Sequence, residues 1–346
     1  MSDQQVSNLN VLSQDVLITP ETLKQEIPLS EAAEHTVIEG RRTIQNILDG
    51  SDPRLLVVIG PCSIHDVDAA LDYARRLRRL ADEVKDSLFV VMRVYFEKPR
   101  TTVGWKGLIN DPHLNGSFEI EEGLHIARRL LVELSELGLP LATEALDPIS
   151  PQYLQDCISW SAIGARTTES QLHRELASGL EAAVGFKNGT GGDIQVALDA
   201  MRAAAHPHQH VALSAAGRPV VRETAGNPHS HLVLRGGHGG PNHDRESVRA
   251  CREALEAAGL TPRLMVDCSH ANACKDHRRQ GEVLRDVIDQ RLSGETALMG
   301  LMLESHLEEG KQPLAPELRY GVSVTDACLG WESTEHLLLS AAERLR

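Results

Sequence analysis

Residues 54–94 read RLLVVIGPCSIHDVDAALDYARRLRRLADEVKDSLFVVMRV. Two apolar runs rich in β-branched residues, 54–60 and 87–94, flank an amphipathic stretch at 66–84. This pattern predicts a strand, a helix and a second strand. Neighbouring strands that are joined by a helix lie parallel. Both runs are almost continuously apolar, which is typical of strands that are covered on both faces of a sheet.

The same alternation continues along the chain. Six further strands are predicted at 140–146, 159–165, 183–188, 231–236, 264–269 and 296–304. Helical stretches lie between most of them, at 119–138, 168–180, 193–204, 244–258 and 276–292. Eight parallel strands alternating with helices favour an α/β fold of the (β/α)8 TIM-barrel type. A doubly wound open sheet is the alternative.

Two segments fall outside this alternation. Residues 1–50 form an N-terminal extension, which is polar at first and is then predicted to be helical over 28–48. Between the fifth and sixth strands, at about 208–226, the pattern predicts a β-hairpin with its turn near Ala216-Gly217. Neither segment is needed to close a barrel. We therefore expect residues 51–346 to form the catalytic barrel, and the two additions to serve oligomer contacts or regulation.

Composition excludes several classes of protein. The net charge is −14 and aromatic residues make up 3% of the chain, which argues against nucleic-acid binding because a basic stripe with stacking residues is missing. No apolar run approaches the length of roughly 20 residues that spans a bilayer. The N-terminus lacks the features of a signal peptide. The six cysteines are scattered without a disulfide framework, so we expect a cytoplasmic protein.

The ends of the predicted strands carry ionisable or metal-binding groups, and these ends form the active site of a TIM barrel. Four of the groups are cations: Arg93, Arg166, Lys187 and Arg235. Such a cluster suits a ligand that bears both a carboxylate and a phosphate. Structural ion pairs are the alternative explanation for each cation taken singly. The same two explanations, a bound anion or structural ion pairs, apply to the cationic segment 92–106, which also carries Lys98, Arg100 and Lys106.

A second set of residues could bind a metal ion. It consists of Cys62, His270, Glu304 and Asp326. A thiolate, an imidazole and carboxylates together suit a divalent metal of borderline softness, such as Mn, Fe, Co or Zn. The spacing alone does not group these ligands. The alternative, in which Cys62 is a small buried residue and His270 a core histidine, therefore stays open.

Several long motifs resemble one enzyme family. They are GPCSIH at 60–65, MRVYFEKPRTTVGWK at 92–106, GARTTES at 164–170, GFKNGT at 185–190, LRGG at 234–237, DCSHAN at 267–272, ESH at 304–306 and TDAC at 325–328. From about residue 15 to its C-terminus the chain is similar to the class I 3-deoxy-D-arabino-heptulosonate 7-phosphate (DAHP) synthases. These enzymes catalyse the first step of the shikimate pathway, which leads to the aromatic amino acids. The resemblance implies a decorated TIM barrel that condenses phosphoenolpyruvate with erythrose 4-phosphate, binds one divalent metal ion per subunit and forms a homodimer or homotetramer.

The resemblance also implies residue roles, carried over motif by motif. The metal ligands would be Cys62, His270, Glu304 and Asp326. Phosphoenolpyruvate would bind Arg93, Arg166, Lys187 and Arg235, with Glu144 nearby. Erythrose 4-phosphate would bind Lys98, Pro99, Arg100 and Thr101, with Asp326 close to its hydroxyls. Lys98 is our candidate for transferring a proton, at the aldehyde oxygen or at the attacking water. Lys106 has no assigned anion, so the ion-pair interpretation stands for it.

In this family the extension and the hairpin correspond to the parts that bind an aromatic amino acid as feedback inhibitor. Details of the segment 264–270 favour tyrosine as that inhibitor. Two other functions are alternatives. One is a related enzyme that condenses phosphoenolpyruvate with arabinose 5-phosphate, and the other is a catalytically inactive subunit that only binds the effector. The inactive subunit would be expected to lack a metal ligand, and all four are present.

Overall fold

The structure is a computed structural model that describes residues 7–100 and 102–346. The barrel is built from eight parallel strands: β1 (Leu55–Gly60), β2 (Leu88–Arg93), β3 (Leu141–Glu144), β4 (Trp160–Ile163), β5 (Ala183–Lys187), β8 (Ser230–Leu234), β9 (Leu264–Asp267) and β10 (Leu298–Glu304). They close in the order β1-β10-β9-β8-β5-β4-β3-β2. The predicted (β/α)8 barrel is confirmed, and the open sheet is excluded because β1 pairs with both β2 and β10.

Helices surround the barrel. They are α3 (Val67–Val84), α4 (Ile120–Glu136), α5 (Pro151–Leu154), α6 (Gln171–Ser178), α7 (Gln195–Ala204), α8 (Arg245–Ala257), α9 (Gln280–Leu292) and α10 (Trp331–Leu345). Asp66 and Asp244 cap α3 and α8, each accepting hydrogen bonds from backbone N–H groups of the first turn. Among the described residues, no helix combines the length and the apolar character that crossing a membrane requires.

The strands are buried on both faces, as their continuous apolar sequence predicts. In β1 all six residues are buried. Leu55, Val57 and Ile59 pack in the layer beneath the helices, whereas Leu56 and Val58 belong to the cluster inside the barrel. Successive side chains of a strand point to opposite faces, so β1 contributes both to the core between barrel and helices and to the core inside the barrel.

The register of the barrel brings the strand ends to one mouth. Gly60 at the end of β1 lies beside Glu304 at the end of β10. Glu144 at the end of β3 lies beside Ala162, one residue before the end of β4. Residues that follow the strands therefore surround a common space, although they lie far apart in sequence.

The N-terminal extension differs from its prediction. It forms two helices, α1 (Pro20–Glu26) and α2 (Glu31–Asp49), because Thr19 and Ser30 each cap a separate helix. Three side chains of α2 belong to the apolar cluster inside the barrel: Ile44, Ile47 and Leu48. Gly40 of α2 packs so closely on the start of β4 that a Cβ there would lie 2.7 Å from Ser159 Oγ. The extension thus covers the N-terminal end of the barrel and contributes apolar side chains to its core.

The hairpin between the fifth and sixth barrel strands is present. Strands β6 (His208–Leu213) and β7 (Pro219–Thr224) pair antiparallel, and Gly217 supplies the left-handed conformation (φ 71°) in the turn between them. Besides α1, two further helices were not predicted from the sequence. Helix α5 is a single turn, and α10 follows the long irregular segment after β10.

Candidate active site

A cavity of about 450 Å³ opens at the C-terminal mouth of the barrel. Its lining includes Arg166, Arg235, His270 and Asp326, four of the residues that were predicted from the sequence. Further polar residues of the wall are Thr190, His238, Ser269, Lys275, His277 and Lys311. The cavity is therefore rich in cations, although the whole chain carries a charge of −14. A small anion is the ligand that such a focused positive surface suits.

Three predicted metal ligands lie together beside this cavity. Ligand atoms of Cys62, Glu304 and Asp326 all lie within 4.8 Å of one another. Cys62 and Glu304 are buried and Asp326 is exposed, so the group reaches from the barrel wall to the open side. One thiol and two carboxylates are a donor set that fits a divalent metal of borderline softness, with room for further ligands.

His270 lies next to this group without belonging to it. Its Nδ1 atom is 2.9 Å from Asp267 Oδ2, and its backbone has a left-handed conformation with φ 55°. A positive φ is uncommon for a residue other than glycine and is often found at functional sites. Burial alone would raise the pKa of Glu304, but the positive charges of His270 and Arg93, with that of Lys98, outweigh it and lower the pKa to about 2. Glu304 is therefore held as an anion beside the other potential metal ligands.

Arg93 is fully buried behind the group. Its guanidinium donates to Glu304 Oε1 at 3.1 Å, and also to the carbonyl oxygens of Pro61 and Cys62. The other carboxylate oxygen of Glu304 accepts a hydrogen bond from Ser269 Oγ at 2.8 Å. A buried charge pair needs such additional hydrogen bonds to be tolerated. In this structure Arg93 therefore fixes Glu304 and does not line the cavity.

Lys187 is also paired with a carboxylate. Its Nζ lies 2.7 Å from Oδ2 of Asp267, which is the last residue of β9 and is completely buried. Burial alone would raise the pKa of Asp267, but the positive charges of His270 and Lys187 outweigh it and hold the pKa well below its usual range. Asp267 is thus an anion that contacts two of the predicted site residues.

Lys98 lies over the thiol of Cys62. Its Nζ is 3.2 Å from Cys62 Sγ and 3.3 Å from Cys62 O. Burial, reinforced by the negative charge of Glu304, raises the pKa of the Cys62 thiol to about 11 even though Lys98 opposes this. Burial alone would lower the pKa of Lys98, but the neighbouring Cys62 sulfur and the carboxylates of Glu304 and Asp326 more than compensate and raise it. Lys98 therefore carries a positive charge at neutral pH.

The remaining predicted substrate residues are more scattered. Arg100 is exposed, and its Nε donates to Trp105 O at 2.8 Å within the same loop. Pro99 is half-buried beside Lys98, and Thr101 lies outside the described residues. Glu144 is half-buried, and its Oε1 would lie 2.2 Å from a Cβ on Gly164. A glycine at position 164 thus makes room for the Glu144 carboxylate.

Two loops at the mouth are held together by backbone contacts. Asn188 donates to Gly236 O and accepts from Arg235 N, which ties the end of β5 to the loop after β8. A Cβ on Gly237 would lie 2.3 Å from Gly192 N. The two loops can approach this closely because both positions lack side chains. This approach positions Arg235 against the cavity.

Sequence reasoning missed several residues of the site. Asp267 and Ser269 were both part of the strand-end run 267–270, but neither received a role. Both lie in the DCSHAN motif at 267–272, so that motif carried the signal. Lys275 and Lys311 line the cavity from irregular segments that follow β9 and β10. No pattern in the sequence could have assigned them to the site.

Comparison with known proteins places this chain in one family. A family model described as the DAHP synthetase I family matches residues 26–339. The chain belongs to this family. The resemblance that was inferred from the motifs is thereby confirmed, as is the prediction that the protein is an enzyme of the DAHP synthase type.

Individual members of the DAHP synthase family are similar over almost the whole chain. The chain is 58% identical to the Tyr-sensitive phospho-2-dehydro-3-deoxyheptonate aldolase of Salmonella typhimurium, covering 98% of this chain and 96% of that protein. It is 52% identical to the phenylalanine-inhibited enzyme of Saccharomyces cerevisiae, covering 96% and 92%. A solved structure of the Francisella tularensis enzyme superposes with a TM-score of 0.94 at 47% identity, covering 97% of this chain and 100% of that one.

Proposed function

We propose that the protein condenses phosphoenolpyruvate with erythrose 4-phosphate and water to give 3-deoxy-D-arabino-heptulosonate 7-phosphate and phosphate, and that tyrosine inhibits it. The observation that carries this proposal is the near-complete match to a Tyr-sensitive relative at 58% identity. Support comes from the site, where a cavity lined by cations opens beside a group of potential metal ligands. Two anionic substrates and a metal ion need both features.

Phosphoenolpyruvate is proposed to bind in the cavity against Arg166, Arg235 and Lys187. The first two line the cavity, and Lys187 lies buried near it with its charge balanced by Asp267. Arginine guanidinium groups bind carboxylate and phosphate through paired hydrogen bonds, so they hold both anionic ends and orient the molecule. Arg93 and Glu144 are proposed to complete this site from behind. Erythrose 4-phosphate would lie towards Lys98, Pro99, Arg100 and Thr101.

The proposed metal ligands are Cys62, His270, Glu304 and Asp326. A divalent metal bound there would act as a Lewis acid that makes the aldehyde of erythrose 4-phosphate more electrophilic. Carbon 3 of phosphoenolpyruvate then forms the new bond to the aldehyde carbon. Water adds at carbon 2, and phosphate leaves with cleavage of its C–O bond. The proposal leaves Mn, Fe, Co and Zn as candidate metals.

Lys98 is proposed to supply a proton to the aldehyde oxygen as the new bond forms. It is charged at neutral pH and lies 3.2 Å from Cys62 Sγ, so its ammonium group reaches the metal-ligand group. A positioned proton donor typically contributes about 10²–10⁴-fold to a rate. The same ammonium also favours the thiolate form of Cys62 by its positive charge.

A phosphate-release assay tests the proposed function. The protein with phosphoenolpyruvate and erythrose 4-phosphate is expected to release phosphate, and EDTA is expected to stop the release. Arabinose 5-phosphate in place of erythrose 4-phosphate serves as the comparison. Faster turnover with the five-carbon sugar would support the related condensing enzyme, and no turnover with either sugar would support an inactive effector-binding subunit.

Metal binding is expected to depend steeply on pH. Because burial and the nearby carboxylates raise the pKa of Cys62 to about 11, the metal-free thiol is protonated at neutral pH and must lose its proton on binding. Affinity should therefore rise by about tenfold per pH unit between pH 6 and 8. Calorimetric titration with Mn²⁺ in two buffers of different ionisation enthalpy counts the released protons. A pH-independent affinity would contradict the thiol as a ligand.

An effector site is proposed in a second cavity of about 720 Å³, between the extension, α5 and the hairpin. Its wall combines cations with anions: Lys24, Arg41 and Arg222 with Asp156, Glu181 and Glu223. Leu176, Leu180 and Pro151 add apolar surface. A free amino acid needs both charges for its two backbone groups and an apolar surface for its side chain. Separate inhibition assays with tyrosine, phenylalanine and tryptophan test the proposal, and we expect tyrosine to inhibit most strongly.

One hydrogen bond connects this cavity to the segment that carries Lys98. Ser150 directly precedes Pro151 and Gln152, which line the cavity, and its Oγ donates to Glu97 Oε2 at 2.8 Å. Glu97 is the neighbour of Lys98 in sequence. We expect Ser150→Ala to raise the tyrosine concentration for half-inhibition by several-fold while the uninhibited rate stays near its normal value. Coupling between sites typically amounts to about 1–3 kcal/mol.

Ser247→Ala is the matched control for this variant. Ser247 also donates from its Oγ to a carboxylate, Asp244 Oδ2 at 2.7 Å, but at the start of α8 and away from the effector cavity. Tyrosine should inhibit the Ser247→Ala enzyme as strongly as it inhibits the parent. A Ser150→Ala enzyme that tyrosine inhibits as strongly as the parent would remove this connection.

Assembly into a homodimer or homotetramer is also proposed. Val211 and Val221 form a cross-strand pair on the hairpin, and their side chains are 74% and 75% exposed. In the extension, Leu12 and Val16 are fully or almost fully exposed. Contact between subunits would cover such apolar side chains. Light scattering coupled to size-exclusion chromatography measures the oligomer, and a monomer would contradict the proposal.

A further inference from the structure

One carboxylate oxygen lies between the two halves of the site. Asp267 Oδ2 is 2.7 Å from Lys187 Nζ and 2.9 Å from His270 Nδ1. The other oxygen, Oδ1, accepts a hydrogen bond from Ser269 N at 3.0 Å. Asp267 is completely buried, so water does not compete for its oxygens. Every contact of this carboxylate therefore leads to the substrate side or to the metal side.

We propose that Asp267 is a positioning residue that couples metal binding to phosphoenolpyruvate binding, by sharing one oxygen between His270 and Lys187. The inference rests on the proposed function, in which His270 binds the metal and Lys187 binds phosphoenolpyruvate. A histidine that binds metal through one ring nitrogen commonly donates its other N–H group to a carboxylate, which fixes the ring and strengthens the ligand. In this structure Nδ1 of His270 has no hydrogen-bond partner among the described residues, and Asp267 Oδ2, 2.9 Å away, is the carboxylate oxygen within its reach.

The two contacts act in opposite directions on the two ligands. For the metal, Asp267 is a helper, since it orients His270 and makes its free nitrogen a better donor. For phosphoenolpyruvate, Asp267 is a competitor, since its negative charge already pairs with Lys187. When an anionic substrate draws Lys187 towards itself, the Asp267 oxygen becomes free to hold His270 more firmly. Each ligand therefore strengthens the binding of the other, as linkage requires.

Asp267→Asn separates these effects. The amide keeps the size of the side chain but removes the charge. We expect the affinity for Mn²⁺, measured by calorimetry on the metal-free protein, to fall about 10–100-fold. In EDTA, the affinity for phosphoenolpyruvate is expected to rise several-fold because Lys187 loses its internal partner. The Asp267→Asn variant should no longer couple the two ligands. It should therefore bind phosphoenolpyruvate with equal affinity in the presence and absence of Mn²⁺, once the direct attraction between substrate and metal is subtracted.

These opposite signs distinguish coupling from damage to the fold, which would weaken both ligands. A fall in both affinities, or an unchanged Mn²⁺ affinity, overturns the inference. Asp286→Asn is the matched control, because Asp286 Oδ2 also contacts a histidine, His243 Nδ1 at 2.6 Å, away from the cavity. Both affinities should be normal in it.

A second variant keeps the test decisive if Asp267→Asn does not fold. Lys187→Met should bind Mn²⁺ at least as tightly as the parent, since Asp267 then serves His270 alone, and weaker Mn²⁺ binding overturns the inference. Failure of the proposed function has a different signature. In that case the parent protein itself would bind no divalent metal. If the parent binds the metal and the Asp267→Asn variant binds it equally well, only the coupling is refuted.

Discussion

Replacing Cys62 with alanine is expected to lower the condensation rate by roughly a thousandfold, because Lewis-acid activation is worth several kcal/mol. The thiol is one of three grouped ligands, and it is completely buried, so no water molecule can easily replace it from bulk solvent. The protein should remain folded, since the substitution removes one sulfur atom from the edge of the barrel. Phosphate release at saturating Mn²⁺, together with calorimetric titration of the metal, measures the effect.

Cys251→Ala is the control for this prediction. Cys251 is also a buried thiol, 5% exposed, but it packs against the barrel from α8 and does not line the cavity. Its variant should keep the normal rate and metal affinity. If Cys62→Ala retained normal Mn²⁺ affinity, the sulfur would have to be excluded as a ligand, and the metal group would reduce to carboxylates and His270.

Replacing Lys98 with methionine is expected to lower kcat by about 10²–10⁴-fold, the usual range for a lost proton donor. Methionine preserves most of the side-chain length and removes the charge. Metal affinity at neutral pH should also fall, because Lys98 no longer opposes the burial that raises the pKa of the Cys62 thiol. Raising the pH should recover the metal binding but not kcat, which separates the two effects. Steady-state kinetics at saturating Mn²⁺ and at two pH values makes this measurement.

Lys106→Met provides the matched control. Lys106 belongs to the same cationic segment, and its backbone oxygen accepts a hydrogen bond from Lys98 N at 2.8 Å, but its side chain is exposed. Normal kinetics are expected for this variant. A Lys98→Met enzyme that turned over at the normal rate would show that another group, or water, supplies the proton.

The barrel was predictable because its strands are continuous apolar runs of the right length. All eight predicted strands are present, with ends that differ by a few residues. Prediction failed where local pattern is weak. Helix α5 is too short to show a helical period. The helical pattern over 28–48 did not reveal that Ser30 caps α2, so the break between α1 and α2 was not predicted.

The candidate site was predictable as a set of residues but not as a set of contacts. The motifs identified Cys62, Glu304 and Asp326, and the structure brings their ligand atoms together. Sequence cannot show which anion a cation contacts, because that depends on side-chain directions at strand ends. Arg93 was predicted as a substrate residue and instead pairs with Glu304 in this structure. Its role in substrate binding stays a prediction, as do the roles of Lys187 and Arg235.

Helix α2 has a practical consequence for anyone who wishes to produce an enzyme that escapes feedback control. Removal of the whole extension up to β1 would be an obvious way to delete the effector cavity, which includes Arg41 of this helix. The same cut would also expose the apolar interior beneath Trp160, since Ile44, Ile47 and Leu48 would be lost with it. A desensitised yet durable biocatalyst must therefore be sought through single substitutions in the cavity wall, with the first fifty residues left in place.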